Sequence, residues 1–237
     1  MKNLWHFGDS YGTGAWGHSL ARKLKRNHIQ YSKGGQSNYQ ILMDIIQNMN
    51  KIDEGDLVLI NWSFMSRGTI MDTKSHRGKS MNNLYDDINE QLIGGFFESK
   101  AYSRLGVKKV KVAKYIDFFL ENNFQFQATL LFLAREVQNR LIERGVDVRS
   151  VFIEKQNTFL MGEKIEWPID NFGLIELDFG RGYWKWLQDN NYCGMNNDED
   201  KGSENAHLKK GITNIIANEY KKRIENGEKG ITNVQII

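Results

Sequence analysis

The sequence predicts an α/β fold, a three-layer α/β/α sandwich around a parallel sheet of about five strands. Three observations carry that expectation. Short apolar runs of strand length alternate with helical periodicity from residue 4 onward. The segment Asp56-Leu57-Val58-Leu59-Ile60-Asn61-Trp62 is almost continuously apolar, as a central parallel strand covered on both faces must be. The 237 residues, 40% hydrophobic and 26% charged, suffice for one sizeable core.

In order along the chain, Leu4 to Phe7 reads as the first strand and Ala15 to Asn27 as a helix with Leu20 and Leu24 on one face. His28 to Ser32 reads as the second strand. It leads through the turn Lys33-Gly34-Gly35-Gln36-Ser37-Asn38 into a helix from Tyr39 to Met49, whose Ile41, Leu42, Ile45, Ile46 and Met49 share a face. After the strand ending at Trp62 the pattern weakens, with a helix expected around Asn82 to Phe97. Val107 to Arg144 is strongly helical, with a break expected near Asn122-Asn123, and Val146 to Ile153 is the next strand. Residues 156–203 read as aromatic-rich and irregular, and a last helix runs from about Leu208 to Ile224. The expectation is one domain over 1–237 with insertions at about 63–106 and 156–203.

Composition narrows the function classes. A formal net charge of +3 is too slight for a nucleic-acid footprint, and the basic run Lys108 to Lys114 is interleaved with Val as a solvated helix face would be. Cys193 is the single cysteine, so neither an internal disulfide nor a cysteine metal cluster is available. No two histidines share a ligand spacing, and Asp198-Glu199-Asp200 lacks the alternation and glycine of a calcium loop, so no metal is expected. No run approaches a membrane span and no signal peptide is visible. The expectation is a cytoplasmic or virion-associated protein without a membrane partner.

The motif Phe7-Gly8-Asp9-Ser10-Tyr11-Gly12 lies where the first strand gives way to the first helix. A serine on such a turn exposes its hydroxyl above the sheet, while the amides opening the helix point at any negative charge that forms beside it. A serine hydroxyl needs a base within reach near neutral pH, and His207, three residues after Glu204, is the candidate. Glu204 can hold His207 Nδ1–H while Nε2 faces the serine. The structural alternatives are a helix-capping Ser10 and a surface His207 at a helix start.

Taken in order, Gly8-Asp9-Ser10, Gly34-Gly35-Gln36-Ser37-Asn38, Asn61 and Glu204-Asn205-Ala206-His207 resemble the four blocks of the SGNH (GDSL) hydrolase family. Within it, Trp62-Ser63-Phe64-Met65-Ser66-Arg67 looks most like phage-encoded members. The resemblance implies a flavodoxin-like SGNH hydrolase fold and a serine esterase without cofactor. The catalytic residues would be Ser10, His207 and Glu204. The oxyanion hole would be formed by the Ser10 and Gly35 amides and the Asn61 side chain, with Asn38 or Ser63 as replacement third donor. The family's glycine before this asparagine and aspartate after it are missing here, and glutamate stands for the aspartate of the last block. Asn38, Trp62, Ser63, Arg67 and Trp184 are candidate substrate contacts. The expected substrate is a small-molecule or carbohydrate ester, above all a carbohydrate O-acetyl group. The alternatives are a lipolytic esterase or thioesterase of the same family, or a non-catalytic virion or binding protein on a degenerate hydrolase fold. A rival reading takes Gly12-Thr13-Gly14-Ala15-Trp16-Gly17 as a dinucleotide fingerprint, but the second strand ends without the acidic residue that a ribose requires.

Overall fold

Alternate residues of a strand face opposite ways, and the molecule is built on that alternation. A computed structural model describes residues 1–9, 11–12, 14–33, 36–63, 68–72, 77–81, 109–153, 156–160, 163–166, 173–192 and 211–226. Four strands, β1 (Asn3–Gly8), β2 (Asn27–Gln30), β3 (Leu57–Trp62) and β6 (Asp147–Phe152), form one parallel sheet in the order β2-β1-β3-β6. Trp5, Phe7, Val58, Ile60 and Trp62 face one side. There they meet Ile41, Leu42 and Ile45 of α2 (Asn38–Asn48) and Leu130, Leu131 and Ala134 of α3 (Lys109–Glu143). Leu4, Leu57 and Leu59 face the other side. They pack with Trp16 and Leu20 of α1 (Ala15–Lys23), Tyr183 and Leu187 of α4 (Tyr183–Asp189), and Ile216 and Tyr220 of α5 (Thr213–Glu225). These are the three layers the sequence predicts.

The sheet has four strands among the described residues, not about five. Where a fifth would lie, Ser150 makes a single parallel bridge to Glu176. Ser150 N donates to Ile175 O and Leu177 N to Ser150 O, both at 2.8 Å. The segment turns away at Gly173 and Gly180, whose φ values of 68° and 66° suit glycine. The buried Gln138 amide of α3 takes over the missing pairing, accepting from Ile175 N at 2.8 Å and donating to Gly173 O at 3.0 Å.

Other boundaries differ for local reasons. α3 runs unbroken for 35 residues through Asn122-Asn123, because a mid-helix asparagine costs only about half a kcal/mol. α1 stops at Lys23, since Lys25 takes a left-handed φ of 55° and Arg26 N closes back on Ala21 O at 2.9 Å. Within the segments read as irregular lie two antiparallel hairpins, β4 (Gly68–Asp72) with β5 (Arg77–Met81), and β7 (Gln156–Leu160) with β8 (Glu163–Glu166), together with α4. The helix expected at 82–97 lies outside the described residues. Among the described residues no helix is long and apolar enough to cross a membrane.

Candidate active site

From β1 the chain crosses to β2 on one side, and β3 then lies on the other, so the carboxyl ends of β1 and β3 open at the sheet's switch point, where ligands of α/β sheets bind. Gly8 ends β1 there. A Cβ on it would stand 2.8 Å from Asn61 Cβ and 2.9 Å from Asn61 O, so only glycine lets the two strand ends lie this close. The turn that follows is held by Asp9, which is fully buried: its Oδ1 accepts from Tyr11 N at 3.0 Å and its backbone carbonyl from Gly12 N at 3.0 Å. Asp9 Oδ2 accepts from Ser63 Oγ at 3.0 Å, and Ser63 N donates to Asn38 Oδ1 at 2.7 Å. Asn38 opens α2 directly after Ser37, whose side chain caps the helix in a reciprocal box with Gln40. Three loop ends are thus laced by buried polar groups at one edge of the sheet.

The candidate residues divide into three sets. Ser10, Gly35, Arg67, Glu204 and His207 lie outside the described residues; the immediate neighbours of Ser10, Asp9 and Tyr11, are both buried. Asn38, Ser63 and Trp184 are brought to the switch point. Trp184 N is tied to Ile153 O at 3.0 Å, just beyond β6, and its half-buried indole meets Tyr11 edge-on with ring centres 5.4 Å apart. Two expectations are corrected. Trp62 is a core residue, 1% exposed, stacked on Phe152 and donating Nε1–H to Ser150 Oγ at 3.1 Å, so it does not line a substrate site. Asn61 is 2% exposed and turned into the α1–α5 layer: Oδ1 accepts from His6 Nε2 at 2.9 Å, and Nδ2 donates to Tyr220 OH at 2.7 Å. Strand alternation is the reason, since Asn61 follows Leu57 and Leu59 on the face that α1 and α5 cover, while Val58, Ile60 and Trp62 take the other.

This inward network is the part that sequence reasoning missed. Burial pushes the His6 imidazole down to about 3; the hydrogen bond with Asn61 opposes the fall and His28 adds to it. Burial likewise raises the Tyr220 phenol far above its usual range, against the hydrogen bond from Asn61. The only sequence signal was a polar histidine inside an apolar strand, and Tyr220, the partner of Asn61 159 residues further on, could not be read from spacing. Two of the three glycines of the rival fingerprint have a packing reason. A Cβ on Gly12 would meet Ser32 Oγ at 2.7 Å, and one on Gly17 would meet His6 Nδ1 at 2.8 Å and His28 Nε2 at 2.9 Å.

No protein-family model and no curated protein matches the chain. Among solved structures it is similar to the crystal structure of the protein YxiM from Bacillus subtilis, with a TM-score of 0.50 and 12% sequence identity over 97% of this chain. The match spans 58% of YxiM's own length, and at that identity it speaks for the fold alone.

Proposed function

We propose that the chain is a serine esterase of the SGNH type acting on O-acetyl groups of carbohydrates. The supporting observation is the buried lacing of Asp9, Ser63 and Asn38 around the turn that carries Ser10, at the switch point of a parallel sheet. A fixed turn costs little reorganisation when its serine reacts. In this reading Ser10 Oγ attacks the ester carbonyl as His207, oriented by Glu204, takes the hydroxyl proton. The tetrahedral intermediate then expels the sugar alkoxide, which leaves as alcohol with that proton. Water next attacks the acyl carbon and gives a proton to His207, and the second tetrahedral intermediate releases the acid as the bond to Ser10 Oγ breaks and His207 returns that proton to it. The Ser10 and Gly35 amides serve as oxyanion donors. Because Asn61 is committed to the interior and both Ser63 donors are used within the lacing, the third donor falls to the Asn38 side-chain amide, and Trp184 beside Tyr11 offers an aromatic surface for a sugar ring.

Labelling with a fluorophosphonate probe tests this. The wild type takes one adduct on the peptide containing Ser10, and both Ser10→Ala and His207→Ala lose it. Full labelling of Ser10→Ala would end the proposal. Faster turnover of octanoyl than acetyl esters would move the substrate to the lipolytic alternative. The engagement of Asn61 favours one second reading, a binding protein on a hydrolase-like fold. A folded wild type that takes no adduct yet retains a glycan would select it.

A further inference from the structure

We propose that Gln36 and Asp44 are positioning residues for the oxyanion hole, fixing the turn that carries the Gly35 amide against the turn that carries Ser10. The inference rests on the esterase reading and deepens it. The lacing of Asp9, Ser63 and Asn38 joins the loops after β1 and β3 to the start of α2. The connection from β2 to α2 has an anchor of its own. Lys33 N donates to Gly8 O and to Gln36 Oε1, each at 3.0 Å, and Gln36 N donates to Lys33 O at 3.4 Å. Gln36 is 7% exposed, and its Nε2 donates to Asp44 Oδ2 on α2 at 2.6 Å. Lys33 Nζ stands 4.0 Å from the same oxygen. The two partners fix the orientation of the Gln36 amide, since a backbone N–H can only donate and an ionised carboxylate can only accept.

Gly34 and Gly35 lie between Lys33 and Gln36 in the sequence. Glycine loses more conformational freedom on ordering than any other residue, so with two in succession the ends of the turn decide where an amide between them is held. An oxyanion donor has to be aimed before the reaction starts, because its worth comes from needing no reorganisation. The Gln36 side chain closes the turn, Lys33 N joins it to Gly8 beside the nucleophile motif, and Asp44 ties it to a helix. The charge on the acceptor makes that last hydrogen bond roughly twice as strong as a neutral one. A buried glutamine engaged at both amide atoms is more than the entry to α2 requires, since Ser37 and Gln40 already cap that helix.

The test counts active sites with the fluorophosphonate probe and then measures hydrolysis of p-nitrophenyl acetate per labelled site, so that misfolded chains drop out. Gln36→Ala is expected to lower kcat ~10-fold or more and to leave KM within ~2-fold, since a misaimed donor is missed in the transition state and not in the ground state. Gln36→Glu adds a readout that loss of folding cannot imitate. Its carboxyl faces that of Asp44 and the two share a proton, so the turn is held until that proton is lost, and kcat should fall as pH rises through neutrality. The wild type should show no such limb. Gln36→Glu/Asp44→Asn keeps one carboxylate and one amide in exchanged places, and should remove the limb and restore kcat to within ~3-fold of the wild type. A wild-type kcat per site in Gln36→Ala, a change confined to KM or to the number of active sites, or a flat alkaline side in Gln36→Glu would each overturn the inference while leaving Ser10 labelling, and with it the esterase reading, intact. A wild type that takes no adduct on Ser10 would end both.

Discussion

Ser63 shows how much a single residue can hold at the switch point. Its hydroxyl donates to a buried carboxylate and its amide to Asn38, so it links the loop after β3 both to the turn after β1 and to the start of α2. Ser63→Ala removes a donor from Asp9, which is fully buried, and should cost about 1–3 kcal/mol in urea unfolding. On the esterase reading it should also slow fluorophosphonate labelling of Ser10. Gly8 tests the same place by volume. Gly8→Ala presses a methyl against Asn61 at 2.8 Å and should destabilise by about 1–3 kcal/mol, and a neutral result would mean that the strand ends part freely. Gly8 and Asp9 were legible in the sequence because turn chemistry is local. Asn61 was misread because a motif position does not say which face of a strand its side chain leaves by.

At the scale of the element, the opposite end of the β1–β3 pair has its own clamp. Asp56, 1% exposed, accepts from Asn3 N and Trp5 Nε1, each at 2.8 Å, and from Asn3 Nδ2 and Asp53 N, each at 3.2 Å. Burial works to raise its pKa, but these hydrogen bonds outweigh it and hold the carboxyl below its usual value. A carboxyl whose folded pKa is depressed contributes stability that is complete above its unfolded value, about 3.9, and is lost as pH falls through the folded one. Asp56→Asn should therefore flatten the loss of stability below about pH 4, and Asp56→Ala should cost about 3 kcal/mol at neutral pH, both read from urea midpoints. An acid limb unchanged in Asp56→Asn would place the titrating groups elsewhere. Periodicity made β1, α2, β3 and β6 legible, since each buries a regular face. It could not show that α3 passes through Asn122-Asn123 intact, because a local penalty of a few tenths of a kcal/mol is outweighed by the rest of a 35-residue helix.

Across the whole molecule, the sheet separates two kinds of polar machinery. At the carboxyl edge Asp9, Ser63 and Asn38 lace the loop ends together, while beneath α1 the chain His6–Asn61–Tyr220 joins the first strand, the third strand and the last helix. Sequence could show the first because its members sit within a few residues of strand ends, and not the second because its partners meet only after the whole chain has closed. Tyr220→Phe distinguishes the two. The ring would keep its packing against Trp16, centres 4.4 Å apart, and Phe179, 5.1 Å, so the change isolates the hydroxyl that accepts from Asn61 Nδ2. Leaving that buried amide without its partner should cost about 1–3 kcal/mol. If Asn61 is interior wiring, the variant loses that stability while the rate of fluorophosphonate labelling stays at the wild-type value. A labelling rate that changes several-fold with stability unaltered would instead mean that the Asn61 amide answers to the site, and the third oxyanion donor would return to it.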